Sequence, residues 1–162
     1  RSLEEVKVVA LEVIENVPSM GMAMSSCILP GVGKPGFTLS EDEVEIGMGI
    51  HGEPGIYREK IQTAAKTAKT LLDKILEDYD YKGNETAVMV NGLGGTPLME
   101  LYIMYHNVEE YLTQAGIRIY RSFVGNYMTS LEMAGCSVSL LKLNDSLKRY
   151  LDAPADTTAL KV

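Results

Sequence analysis

Val44-Glu45-Ile46-Gly47-Met48-Gly49-Ile50-His51-Gly52-Glu53-Pro54-Gly55-Ile56-Tyr57-Arg58 is the stretch from which the rest of the chain is read. Val44, Ile46 and Met48 recur at a spacing of two, the pattern of a strand. His51 to Gly55 then break it, because two glycines and a proline in five residues cannot continue a central strand. An imidazole and a carboxylate, His51 and Glu53, therefore stand where a buried strand runs out into a turn. Gly47, Gly49, Gly52 and Gly55 leave room for something to approach the backbone, either a ligand or a second backbone.

The chain has 162 residues, read as one domain over 1–162, and is 46% hydrophobic, enough for a full core. A net charge of −7 argues against a nucleic-acid partner, since phosphates need a basic face. The longest apolar runs fall far short of a membrane span, and the N-terminal stretch with Glu4, Glu5 and Lys7 reads as a helix and not a leader. Cys27 and Cys136 lie in apolar stretches and are expected to be reduced core residues of a cytoplasmic protein. The first residue, Arg1, already sits inside a helical pattern without a methionine, so residues are expected upstream.

Leu3 to Val17 carries apolar residues at 3, 6, 10, 13, 14 and 17, which predicts a helix ended by Pro18. Met20 to Leu29 reads as a strand, and Pro30 to Gly36 as a loop. The strand over 44–50 follows an acidic run, and Tyr57 to about Tyr79 is expected to be one long helix with Ile61, Ala64, Ala65, Ala68, Leu71, Leu72, Ile75 and Leu76 inward. After a turn at Gly83-Asn84, Thr86 to Val90 is a β-branched buried strand. Leu98 to Ala115 is a helix with Thr96 as cap, Pro97 at its first position and Gly116 closing it. Ile117 to Val124 and Ser137 to Leu143 are strands, with a bend or short helix at Thr129 to Met133 between them. Asn144 caps a final short helix, and the tail from Asp152 reads as loosely ordered. This order gives a mixed α/β (α+β) domain with one sheet covered by helices. The βα crossovers imply some parallel pairing, while 20–29 with 44–50, and 117–124 with 137–143, can pair antiparallel.

Four motifs could carry chemistry. Asn91 to Pro97 can hold an anion on its N–H groups or be a tight turn whose glycines allow close packing; it lacks both the P-loop ending and the dinucleotide spacing. Gly31 to Gly36 places Lys34 among glycines, a phosphate holder or a mobile surface loop. His51 with Glu53 sits at a strand end, a favoured place for α/β sites, and a neutral imidazole can be base, nucleophile or ligand. A metal would need about three more ligands, and the other histidine, His106, lies mid-helix beside Tyr102 and Tyr105, so no metal site is expected. Gly125 to Leu131 could line a cavity or form a capped turn on Thr129 or Ser130.

Four segments together resemble the substrate-binding (K) subunit of dihydroxyacetone kinase. They are G-I-H-G-E-P-G-I over Gly49–Ile56, S-S-C-x-x-P with G-K-P over Ser25–Pro35, N-G-L-G-G-T-P-L-x-E-L-Y over Asn91–Tyr102, and G-N-Y-M-T-S-L-E-M-A-G over Gly125–Gly135. The resemblance runs from about Val6 to Leu160 and covers the C-terminal half of that subunit, its second domain; the N-terminal half, which contributes much of the pocket and the acid/base residues, is absent. It implies that His51 binds the carbonyl of dihydroxyacetone covalently as a hemiaminal, with Gly49 and Glu53 beside the substrate; Glu53 is expected to orient the imidazole or its loop. Such an adduct fixes the substrate for phosphorylation to dihydroxyacetone phosphate and excludes glycerol, which has no carbonyl. The tail D-A-P-A-D-T-T-A-L resembles the end of the separate-subunit form, in which phosphate comes from the phosphoenolpyruvate-dependent phosphotransferase system. That form implies a homodimer, no nucleotide site on this chain, and a partner kinase subunit holding ADP and magnesium. Asn91 to Pro97 is then structural or partner-facing, and the isolated half is expected to be inactive. The alternative within the resemblance is a non-catalytic paralogue that binds dihydroxyacetone and acts as coactivator of a transcription regulator. A third reading is an α/β oligomerisation domain in which His51 is structural.

Overall fold

The computed structural model describes residues 2–162. In chain order the elements are α1 (Leu3–Asn16), β1 (Ser19–Ala23), β2 (Glu43–Ile46), β3 (Tyr57–Lys60), α2 (Ala64–Asp78), β4 (Glu85–Gly92), α3 (Leu98–Gln114), β5 (Arg118–Gly125), β6 (Gly135–Leu143) and α4 (Asp145–Leu151). The strands form one mixed sheet in the order β3-β2-β1-β6-β4-β5. Only β4 and β5, joined by the α3 crossover, run parallel; the other pairs are antiparallel.

Period-two alternation gives the sheet two apolar faces. Val88, Val90, Val138 and Leu140 point to one, where Ala68, Leu71, Leu72 and Ile75 of α2 and Leu101, Met104, Val108 and Leu112 of α3 cover them. Each fully buried aliphatic side chain there contributes roughly 1.5–3 kcal/mol, so this layer holds the sheet together. The opposite face is covered in two parts. Val9, Val13, Leu147 and Leu151 from α1 and α4 pack on Ala87 and Leu143. At the other end, where β1 stops and β6 starts, loop residues Met48, Leu93 and Met133 pack on Ala23.

The structure departs from the sequence expectations at six places. Tyr57–Lys60 is the edge strand β3, paired from Ile46↔Tyr57 to Glu43↔Lys60, and the helix starts only at Ala64 behind the Thr63 cap. Its charged residues suit an edge that must not pair further. β1 ends at Ala23, because the N–H groups of Met24 and Ser25 both turn to the Ala134 carbonyl. β2 ends at Ile46, because Gly47 takes a φ of 86°. β5 and β6 are not paired with each other; β4 lies between them. Thr96 does not cap α3: Pro97 holds that position, and the Thr96 hydroxyl is spent on Gly135. Finally, α1 forms, with a capping box between Ser2 and Glu5, but packs through Val9 and Val13, leaving Leu3, Val6, Leu11 and Ile14 exposed.

Candidate functional site

The strand exit at His51 is a ten-residue loop, Gly47 to Ile56, closed at its base by the Ile56 N–H donating to the Ile46 carbonyl at 2.7 Å. Gly47 turns the chain back over the sheet, donating to the Gly21 carbonyl at 2.7 Å. Met48 is buried and Ile50 half-buried against Leu93 and Met133, which anchors the loop by its apolar side chains. The residues between them and Gly55 are free to face solvent.

Glu53 organises that tip. One carboxylate oxygen accepts the His51 backbone N–H at 3.1 Å and the other meets His51 Nδ1 at 3.1 Å. The Gly49 N–H donates to the Glu53 carbonyl at 3.3 Å, and a Cβ on Gly49 would run into Glu53 Oε2. Gly49 is thus small to admit the carboxylate. A hydrogen bond from its own backbone N–H, helped by the His51 ring and amide against slight desolvation, holds the Glu53 carboxyl below its usual value. An ionised carboxylate beside Nδ1 favours the tautomer with its proton on that nitrogen, which leaves the lone pair on Nε2. The imidazole is 80% exposed, so the ring stands open to an approaching molecule.

His51 stands on the wall of a cavity of about 540 Å³. Three of the sequence motifs meet there: Lys34 and Phe37 from the first loop, His51 and Gly52 from the second, and Thr129 to Leu131 from the third. Gly49 does not line this cavity; it lines an adjoining trough of about 440 Å³ on the sheet face, with Ser137 and Ser139. Cys27 also lines the His51 cavity, half-buried with its thiol 3.6 Å from the Ser130 hydroxyl, so of the two cysteines only Cys136 is a fully buried core residue. Burial pushes the Cys136 thiol up to about 12. A turn closes from Ser130 to Met133, the Met133 N–H donating to the Ser130 carbonyl at 3.0 Å, and Thr129 to Leu131 line the cavity as well, so the segment is both a turn and a cavity wall.

Asn91 to Pro97 is a packing turn. The N–H groups of Leu93 and Gly95 are committed to Gly135 at 3.1 Å and Met133 at 2.9 Å. A Cβ on Gly94 or Gly95 would run into the Leu131 or Glu132 carbonyl. Those two N–H groups are not free to hold an anion. Asn91, the first residue of that motif, has a role its spacing does not suggest: it accepts from the Tyr127 and Met128 N–H groups at 2.9 Å and donates to the Met128 carbonyl at 2.8 Å, which sets the third cavity wall. His106 lies exposed on α3, which contributes nothing to the His51 cavity. Among the described residues no group of three or more His, Cys, Asp or Glu side chains is placed to hold a metal, and no helix is long and apolar enough to cross a membrane.

Fold and site together define a mixed α/β domain that presents a carboxylate-backed histidine on a strand-exit loop beside a small cavity. The Dak1 domain family matches residues 1–159, and the chain belongs to that family. It is 48% identical over 162 residues to the dihydroxyacetone-binding subunit DhaK of the PTS-dependent dihydroxyacetone kinase 1 of Listeria innocua, a match covering 98% of this chain and 49% of that protein. Among solved structures it superposes on the dihydroxyacetone kinase operon co-activator Dha-DhaQ with a TM-score of 0.88 at 35% identity, over 95% of this chain and 48% of that one. The dihydroxyacetone kinase of C. freundii matches with a TM-score of 0.84 at 30% identity, over 99% of this chain and 29% of that one. The chain spans about half the length of the Listeria relative.

Proposed function

We propose that this chain carries the covalent anchor of a dihydroxyacetone-binding subunit, with His51 as the nucleophile. The observation that carries the reading is the imidazole itself: its Nδ1 is held by Glu53 while the exposed ring lines an open cavity. Nε2 adds to the ketone carbon, the carbonyl π bond opens, and the oxygen takes a proton from solvent to become the hemiaminal hydroxyl. The positive charge left on the ring is met by Glu53, which can share or accept the Nδ1 proton. Glycerol offers no such carbon. Gly49 serves by admitting the Glu53 carboxylate.

The captured ketone is then phosphorylated by a kinase subunit that brings ADP and magnesium, fed by phosphoenolpyruvate through the phosphotransferase system, with the K-type subunit a cytoplasmic homodimer. The PTS-dependent naming of the Listeria relative supports this branch. The commitment of the Leu93 and Gly95 N–H groups to Gly135 and Met133 supports placing the nucleotide elsewhere than on this chain.

The test is to incubate the full-length gene product with dihydroxyacetone, trap it, and map the adduct. Capture at His51 together with phosphate transfer from phosphoenolpyruvate, given the kinase subunit, is the expected result. A second reading, a dihydroxyacetone-sensing coactivator, draws on the Dha-DhaQ match; capture at His51 with no phosphate transfer would favour it. No adduct would overturn both.

A further inference from the structure

A buried carboxylate lies beneath the His51 loop. Glu45 is the third residue of β2, and its side chain is only 9% exposed. Oε1 accepts the Gly55 N–H at 2.7 Å, and Oε2 accepts from Arg58 Nε at 3.1 Å. Arg58 reaches further, donating from Nη1 to the Thr38 carbonyl at 3.2 Å. Gly55 is where the His51 loop returns to the sheet. Thr38 directly follows Phe37, which lines the same cavity from the opposite loop. One ion pair therefore ties down the chain at both sides of the cavity. Gly55 is small for this purpose: a Cβ there would run into the Ile46 carbonyl and come within 2.7 Å of Glu45 Cγ.

An ionised carboxylate in such a place costs desolvation, and it is tolerated because both oxygens are bonded. An apolar residue would fill a strand position at less cost but could not grip an N–H. The neighbouring Glu43 and Glu59, on the same hairpin, are not so buried. Fixing the geometry of the two loops is what this pair supplies and an apolar residue would not.

We propose that Glu45, together with Arg58, is a positioning residue for His51. It sets the separation of the His51 loop from the Lys34–Phe37 loop, and through it the affinity for the small ketone. This inference rests on the covalent reading of His51 given above. Glu45 touches no substrate; it acts through Gly55 and the loop that follows His51.

The experiment uses the full-length gene product with [2-13C]dihydroxyacetone, whose carbon moves from the ketone to the tetrahedral region of the NMR spectrum on capture. Glu45→Ala is expected to weaken capture by about tenfold or more, as loss of a buried, geometry-setting pair should. Glu45→Gln keeps an oxygen for Gly55 but turns a donor toward Arg58, and is expected to rescue part of the loss. Arg58→Gln leaves the Glu45–Gly55 bond in place at a half-exposed position and is expected to cost about threefold, with far-UV circular dichroism unchanged. Should Glu45→Ala fail to fold, the other two variants decide. Parent-like capture in Glu45→Gln and Arg58→Gln overturns the proposal while leaving His51 as the anchor. A parent protein that shows no protein-bound tetrahedral carbon beyond the signal of the free hydrate overturns the reading of His51, and the clamp with it.

Discussion

Asn91–Pro97 and Gly47–Ile56 are two glycine-rich loops that leave strands and meet over the same face of the sheet, where Leu93 packs against Met48. In the first, the space vacated by each missing Cβ is taken by another stretch of chain: Asn126 beside Gly92, the Leu131 carbonyl beside Gly94, the Glu132 carbonyl beside Gly95. In the second, chain also fills the space at the base, with Ile56 beside Gly47 and the Ile46 carbonyl beside Gly55, but at the tip Gly49 makes room for the ionisable side chain of Glu53 and Gly52 has nothing near it. Glycine content is therefore no guide to a site. What fills the vacated space is, and only the second loop leaves a reactive group facing out.

The comparison breaks most clearly if the two loops respond alike to substitution. His51→Ala is expected to abolish the hemiaminal entirely while leaving stability within about 0.5 kcal/mol, as an exposed side chain should. Gly94→Ala is expected to cost about 3 kcal/mol or more, because the new Cβ meets the Leu131 carbonyl at a φ of 119°. Urea denaturation of both variants, run beside the capture assay, checks the pair. Equal destabilisation would mean that the His51 loop is also a packing element.

Thr96→Val probes the packing loop more gently. The hydroxyl gives to and takes from Gly135 at 2.8 Å each way, and it is buried. Leaving those backbone groups unpaired is expected to cost about 1–3 kcal/mol, with capture by His51 unchanged. Weakened capture at full stability would show that the two loops are not independent. Gly49→Ala tests the other side. Its Cβ runs chiefly into the carboxylate end of the flexible Glu53 side chain, with the Glu53 Cβ in tight contact at 3.3 Å, so the thermal midpoint should move by less than about 3 °C while capture falls severalfold.

The strand break that carries His51 and Glu53 was legible in sequence from its glycines and proline, but the use of the pair was not: on residues alone a reactive and a structural imidazole stood level, and the family resemblance is what favoured the first. The mixed sheet and the parallel β4–α3–β5 unit were legible from β-branched runs and helix periodicity. Glu45 was hidden because its partners Gly55 and Arg58 reach it only across the β2–β3 hairpin. That hairpin was itself obscured: Tyr57–Lys60 shows no apolar alternation, and Ile61, Ala64, Ala68 and Leu71 nearby extend a helical spacing back toward it. Thr96 and Asn91 find partners 39 and 36 residues away, which local capping rules do not anticipate. The α1 stripe was misleading because amphipathic spacing marks an apolar face without saying what covers it.

The smallest effect concerns charge at the loop tip. The folded Glu53 carboxyl lies below its ordinary value of 4.5, first through its own backbone N–H and only then through His51. The loop therefore favours the ionised form. That contribution is whole above 4.5 and fades as pH falls through the lower, folded value, where His51 Nδ1 loses its acceptor. In His51→Ala the carboxyl, followed by carbon-13 NMR, should titrate closer to 4.5 than in the parent but still below it, since the main cause remains. A full return to the ordinary value would reverse the order of cause. The ring would then be what holds the carboxylate charged, and Glu53 would follow His51 instead of being set by the backbone before the imidazole arrives.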